Sequence, residues 1–473
     1  NCKNIPQMRR LLLTLLSCLS VSALWADGPK YVFYFIGDGM GIPVINAAQY
    51  YSARTASSYT GIGLYGYGNH KLTMCTLPIA GIATTDCSDS HITDSAAAGT
   101  ALASGTKTDS GMIGMAPDNH ELYSIAHTAK AAGKAVGIIT TVSIDHATPA
   151  SFYAHRPNRG LYHEIALDGI ETGFDLYGGS GFLKPVKDDV DVYDLYEKAG
   201  YVRLRGRDGL KKMKSVKTPV LLTEREEAPS NLLAMAIDRS DDDMTLADMV
   251  AASIDYLSKR GGDEGFFLMA EGGQIDMACH SNDPKAAIEE VLDFDKAVAV
   301  AYDFYRLHPD ETLIVVTADH ETGGFALGNY DSGYTMNIDC LSGVKCSASM
   351  LTAMMRQSDM AWSDARTALE ETWGLGGDIE VDDDEWKRLE SIYANSKSEA
   401  IYEASKLVSR AAGLGWTTGS HTAAPVAIFA AGRMLEPLAG MHDNTEIAKL
   451  LKSLYVQGHP AIEVTSVNKK SRR

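Results

Sequence analysis

Five unbroken apolar runs limit the kind of sheet this chain can build: YVFYFIG (31–37), KAVGIITT (134–141), FFLMA (266–270), TLIVVTA (312–318) and PVAIFAAG (425–432). A strand with one wet face alternates apolar and polar residues. Runs of Val, Ile and Phe without alternation need cover on both faces, as in a parallel sheet. Helical patterns separate the runs, such as PKAAIEEVLDFDKAVAVAYDFY (284–305) with proline near its start. The alternation predicts an α/β fold: a doubly wound, mostly parallel central sheet with helices on both faces. Between about 325 and 412 the strand rhythm lapses, and that region reads as a cap inserted over the strand ends of one large domain, 27–473.

In such sheets ligands sit at the carboxyl ends of the strands. Three predicted strands end there in an acid: Asp38, Glu271, and Asp319 with His320 beside it. One acid at such a place is accounted for by a helix cap. Three converging carboxylates repel one another unless a cation neutralises them, so they suggest a metal site. Asp276 and His280 stand four apart and would share a helix face; His421 ends a glycine-rich stretch just before the last strand. Asp276, His280 and His421 form a nitrogen–oxygen set suited to Zn²⁺ with an open position, and Asp38, Asp319 and His320 form a second.

Alanine and glycine surround Ser95 in HITDSAAAGTALASGTKTDSG (91–111). Either this is a tightly packed Ala-rich helix, or Ser95 opens the helix and its hydroxyl must approach a ligand. A helix N-terminus attracts anions through its free N–H groups, and an anion-binding arginine is available nearby as Arg156 or Arg159. Two metals, such a serine and such an arginine make a phosphoryl-transfer kit. A dinucleotide reading of IGDGMGI (36–42) fails, because Ile42 stands where the fingerprint needs glycine.

The 473 residues carry a net charge of −18, which argues against nucleic-acid binding. From Met8 the order MRRLLLTLLSCLSVSALWA is that of a secretory signal peptide, with cleavage after Ala26 or Ala23 and residues 1–7 read as an over-extended start. A lipid-attachment reading at Cys18 fits poorly because of Leu16. The expected product is periplasmic or secreted, with no later segment apolar enough to span a membrane. Of the five cysteines after residue 26, Cys340 with Cys346 and Cys75 with Cys87 are possible disulfides, leaving Cys279 as a small buried residue. The acidic run 378–385 and the basic run 211–217 read as solvated faces.

The motifs GDGMG (37–41), TDSAAAGTALASGTKT (93–108), DHATPASFYAHRPNR (145–159), EGGQIDMACH (271–280), TADHETGG (317–324) and GSH (419–421) occur in series. In this the chain resembles the alkaline phosphatases. The resemblance implies an exported, metal-dependent phosphomonoesterase with a phosphoserine intermediate on Ser95. It places one zinc on Asp276, His280 and His421, a second on Asp38, Asp319 and His320, and a magnesium on Asp38, Thr148 and Glu271. The phosphate-clamping arginine becomes Arg159, oriented by Asp94, and the expected partners are small phosphomonoesters and a second copy of the chain in a homodimer. Three positions depart from the pattern: His146 for an aspartate near the magnesium, Met277 for a phosphate-holding lysine, and Thr322 for a histidine that supports the ligands from behind. A phosphodiesterase or sulfatase of the same superfamily, and a non-catalytic phosphate binder, are the alternatives. Ser95 lacks the x-Pro-x-Arg sequence a sulfatase needs, and a diesterase has no need of Arg159.

Overall fold

The computed structural model describes residues 28–55, 71–225 and 232–456. The signal peptide expected at 1–26, with Met8 and Cys18, lies outside the described residues. Ten strands form one sheet: β1 (Tyr31–Gly37), β2 (Ile79–Thr84), β3 (Ala135–Thr140), β4 (Leu176–Gly178), β5 (Val202–Arg205), β6 (Val220–Thr223), β7 (Phe266–Gly272), β8 (Thr312–Ala318), β9 (Val426–Ala431) and β10 (Gly440–Asp443). Their spatial order is β10-β2-β9-β8-β1-β7-β3-β4-β6-β5. Every residue of β1, β3, β7 and β8 is buried, which is why these segments read as continuous apolar runs.

Register aligns the strand ends. Gly37 of β1 pairs with Ala318 of β8 on one side and with Gly272 of β7 on the other, and Thr140 of β3 pairs with Glu271. Asp38, Glu271 and Asp319 therefore leave the sheet at one level. The sheet is mostly parallel, as expected, but β9 runs antiparallel to both of its neighbours, β8 and β2. Its reversal has a use: the start of β9, rather than its end, lies beside the end of β8. The segment carrying His421 is thereby delivered to the acidic edge.

Strand β2 was not legible in the sequence. Its IAGIAT is mostly half-buried and holds a central glycine. Gly81 is needed there, since a Cβ would meet the Leu438 carbonyl oxygen at 2.1 Å.

Helix α1 (Ile42–Thr55) follows β1, and α2 (Ser95–Ser104) begins at the serine. Helix α3 (Gln274–His280) follows β7 after one glycine, and α4 is Pro284–Leu307, with proline in its first turn and Asp283 accepting from Ala286 N. Between β8 and β9 the chain leaves the sheet. Ala326–Leu327 pairs antiparallel with Leu414–Gly415. Helices α5 (Ala348–Gln357), α6 (Trp362–Trp373), α7 (Asp383–Tyr393) and α8 (Lys397–Ala412) lie between. The acidic run supplies the N-terminus of α7: Asp382 accepts from Glu385 N while Glu385 accepts from Asp382 N, a capping box at the positive end of the helix dipole. The basic run ends a short helix, Gly206–Met213, with Lys211 and Lys212 exposed in its last turn. Cys75, Cys87, Cys279, Cys340 and Cys346 are all free thiols, so neither of the two possible disulfides is present, and Cys279 is a buried packing residue.

All ten residues of α2 are buried, which accounts for their small size. A Cβ on Gly99 would lie 2.9 Å from Ser151 Oγ and 3.2 Å from Thr148 Cα. Alanine and glycine therefore let the serine helix pack against the segment carrying Thr148. Forcing a branched side chain there overpacks the contact, so Gly99→Val is expected to cost about 1–3 kcal/mol. A urea unfolding midpoint equal to wild type would contradict this.

Candidate active site

Ser95 is the first residue of α2. Asp94 caps the helix by accepting from Ala97 N at 3.0 Å, and its other oxygen accepts from Arg159 Nη1 at 3.0 Å. Although burial raises it, the N–H groups of Gly111 and Ala97 and the Arg159 guanidinium hold the Asp94 carboxyl below its usual range. The two candidate arginines are thus separated by their partners. Arg156 is bound by both oxygens of Asp168, whereas Arg159 stands beside the serine helix.

Ser95 Oγ lies 3.1 Å from His320 Nε2. The same nitrogen is 3.4 Å from Asp38 Oδ1 and 3.3 Å from Asp319 Oδ2. Next to this group, His280 Nε2 is 3.2 Å from Asp276 Oδ2 and 3.2 Å from His421 Nε2, and His421 Nε2 is 3.7 Å from Asp276 Oδ1. The His320 and His421 rings stack with centroids 3.6 Å apart. Behind them Thr148 Oγ1 faces Asp38 at 3.5 Å and Asp319 at 3.4 Å, and Thr140 donates to Glu271. The twelve residues expected to have a catalytic or metal-holding role, His146 among them, come together here, whereas Arg156 does not.

Each of the three outer histidines has its Nδ1 occupied. His280 Nδ1 reaches Gly419 O at 2.7 Å and His421 Nδ1 reaches Thr93 O at 2.8 Å, so both must be donors. His320 Nδ1 lies 3.2 Å from Thr322 Oγ1, which itself donates to Asp276 Oδ1 at 2.5 Å. This network places a proton on Nδ1 in all three and aims every Nε2 at the site. His320 is kept neutral by burial, whereas burial of His280 is outweighed by Asp276, which raises its pKa. Thr322 thus acts as a relay between His320 and Asp276. Its role was invisible in the sequence, where it registered only as a departure. Thr140 and the carbonyls of Thr93 and Gly419 were missed as well, because a backbone acceptor has no side-chain signature. Met277 is half-buried against the core and brings no charge to the position.

Three groups of side chains bring one ligating atom each to within 4.8 Å of the others: Asp276, His320 and His421; Asp38, Asp319 and His320; and Asp38, His146 and Glu271. His146 therefore faces the third group, with Thr148 beside it. Asp38 Oδ1, Glu271 Oε1 and His146 Nδ1 are buried without a hydrogen-bond partner. Buried polar atoms in this state cost stability unless something binds them. Burial, and then the neighbouring carboxylates, push Asp38 and Asp319 well above the usual range, and burial does the same to Glu271. Burial also pushes His320 and His146 down, keeping them neutral. Neutral imidazoles and unpaired carboxyl oxygens in three clusters fit divalent cations.

Among the described residues the site is exposed on one side. The side chains of Asp38, Asp319 and His320 are fully buried, whereas His280 is 36% and Arg159 28% exposed. The exposed side lies over the arginine and His280.

The family model for alkaline phosphatase matches residues 29–178 and 184–456. Alkaline phosphatase 4 of Bacillus subtilis is 33% identical over 438 residues, covering 91% of this chain and 89% of that protein. A cold-active alkaline phosphatase from a Shewanella species superposes with a TM-score of 0.74 at 29% identity, over 90% of this chain and 99% of the other. A histidine variant of the alkaline phosphatase from the Antarctic bacterium TAB5 is described with Mg bound in its M3 site. It has a TM-score of 0.63 and 26% identity, covering 91% and 98% of the two chains.

The raised carboxyls make a prediction for protein stripped of divalent ions. Below the unfolded values of 3.8 and 4.5 their stabilising contribution is complete, and it is lost as pH rises through the higher folded values. The lowered imidazoles of His320 and His146 act in the opposite sense up to their unfolded value of 6.5. Stability of the chelator-treated protein should therefore fall above that, as pH rises through the folded values of about 7 for Asp319 and about 8 for Glu271. Added Zn²⁺ or Mg²⁺ should restore it at neutral pH, and Glu271→Gln should flatten the slope. Urea unfolding across that range checks this, and a pH-independent midpoint insensitive to metal is the contrary outcome.

Proposed function

The chain belongs to the alkaline phosphatase family, and from that premise we propose that it hydrolyses small phosphate monoesters through a phosphoserine on Ser95. The observation that carries the reading is a serine at a helix N-terminus with Arg159, anchored on Asp94, beside it.

The forked guanidinium of Arg159 suits a terminal phosphoryl group with several free oxygens. Held there, the phosphorus faces Ser95 Oγ. The serine oxygen forms the new P–O bond while the bond to the ester oxygen breaks and the alcohol leaves with a proton. Water then attacks the same phosphorus, the Ser95–O–P bond breaks, and inorganic phosphate departs over the open side. Asp94 keeps Arg159 in place through both steps, while helix α2 fixes the serine. Asp276, His280 and His421 would hold one zinc, Asp38, Asp319 and His320 another, and Asp38, Thr148 and Glu271, with His146 alongside, a magnesium. When bound, these ions would neutralise the buried carboxylates, favour the serine alkoxide and stabilise the departing oxygen. The imidazole of His146 softens that third donor set, so transition-metal ions would compete with magnesium there more strongly than at an all-oxygen site.

The same reading takes residues 1–26 as a signal peptide, the product as periplasmic or secreted and a homodimer, and 325–412 as a cap over the site. The signal-like order of charge, apolar run and small residues supports export. No helix among the described residues is long and apolar enough to cross a membrane.

Hydrolysis of an aryl phosphate at alkaline pH tests the function. Chelator-treated protein should be inactive and recover with Zn²⁺ and Mg²⁺. Ser95→Ala should lose at least roughly 10³-fold and trap no phosphate, and Arg159→Ala should lose about 10²-fold. A diester or sulfate ester cleaved faster than the monoester would overturn the proposal.

A further inference from the structure

Two residues beyond His280 the chain turns through Asn282, which has a positive φ of 47° and is 1% exposed. Asparagine tolerates this left-handed conformation better than most residues. Its side chain is fully used. Nδ2 donates to Cys279 O at 3.0 Å and to Thr418 O at 3.0 Å, while Oδ1 accepts from Tyr402 Oη at 2.8 Å.

The two carbonyls it grips are not arbitrary. Cys279 immediately precedes His280, and Thr418 immediately precedes Gly419, whose carbonyl receives the His280 Nδ1 proton at 2.7 Å. One amide therefore ties together the residues flanking both ends of the bond that sets the His280 tautomer and ring plane. The loop so held continues to His421, and Gly323 N bonds Ser420 O. Tyr402 belongs to α8. Its hydroxyl stands 3.2 Å from where a Cβ on Gly419 would be, and Ser405 of the same helix donates to Ser281 O at 3.1 Å.

We propose that Asn282 is a positioning residue for His280 and the 417–421 loop, and that Tyr402 links its setting to helix α8. The inference rests on the reading that His280 and His421 hold zinc. Without the amide donors, Thr418 O is released and the Gly419 carbonyl is free to turn from His280. The imidazole then loses the partner that orients it, and supports of this kind are typically worth 10–100-fold in metal affinity.

The test is competition for zinc between the protein and a chromogenic chelator, using wild type, Asn282→Asp, Asn282→Gly and Tyr402→Phe. Aspartate keeps the shape and the Tyr402 acceptor but cannot donate to either carbonyl, and glycine suits the backbone conformation with no side chain. Both are expected to release one zinc equivalent about 10–100-fold more readily than wild type, with the second equivalent unchanged. Tyr402→Phe is expected to move the same equivalent less. A merely structural role would instead lower the urea midpoint of the metal-free protein and leave the chelator competition intact. Folded Asn282→Asp and Asn282→Gly that hold both equivalents like wild type would overturn the proposal. If neither Asn282 variant folds, Tyr402→Phe decides, and wild-type release from it overturns the proposal. Wild type that takes up no zinc would instead sink the reading of the site on which it rests.

Discussion

Mutual repulsion among buried carboxyl groups is the constraint around which this molecule is arranged. Asp38, Glu271, Asp276 and Asp319 are taken almost wholly out of water within one small volume. No hydrophobic gain elsewhere removes that cost, since charges in a low-dielectric interior must be neutralised locally, by protons or by cations. The sheet makes the problem unavoidable, because strands in register deliver their terminal residues to one level. The solution comes to the same edge from several elements: His320 from the end of β8, His280 from α3, His421 from the loop before β9, and Thr148 from a short helix after β3.

Holding those imidazoles is the second task, and backbone carbonyls do most of it. Gly419 and Thr93 each take one Nδ1 proton, and Thr322 takes the third while passing its own to Asp276. The carbonyls come from the loop before β9 and from the residues before α2, so the orientation of these imidazoles depends on the packing of distant segments. Gly39 sits within this arrangement with a φ of +70°, and a Cβ there would meet Asp276 Oδ1 at 2.8 Å and Thr322 Oγ1 at 2.9 Å. The central glycine of the GDGMG motif keeps space clear for Asp276 and Thr322.

Much of this was legible in the residues. The five buried strands announced themselves because cover on both faces suppresses alternation, and the acids at their ends stood out against that apolar background. The small neighbours of Ser95 left a packed helix and a reactive serine both open, and it was family likeness that chose the serine reading and picked Arg159 over Arg156. What escaped had no local signature. Strand β2 is half-wet and carries a glycine. The reversal of β9 depends on the route of the chain between 325 and 412, which apolar periodicity does not encode. The relay through Thr322 and the grip of Asn282 consist of single hydrogen bonds between residues far apart in sequence. Nor did cysteine spacing foretell pairing, since closeness along the chain does not make two thiols face one another.

The place of His421 late in the chain also sets an order of events. Asp38 is among the earliest residues of the sheet, whereas His421 arrives only with the loop that precedes its penultimate strand. On a chain made from its N-terminus at about 5–20 residues per second, every acid of the site emerges many seconds before the last imidazole. The cluster is thus completed by the closing of the fold rather than at its beginning, and a chain interrupted anywhere before residue 421 has carboxylates without their full complement of nitrogen. The complete set of side chains exists only in the finished molecule.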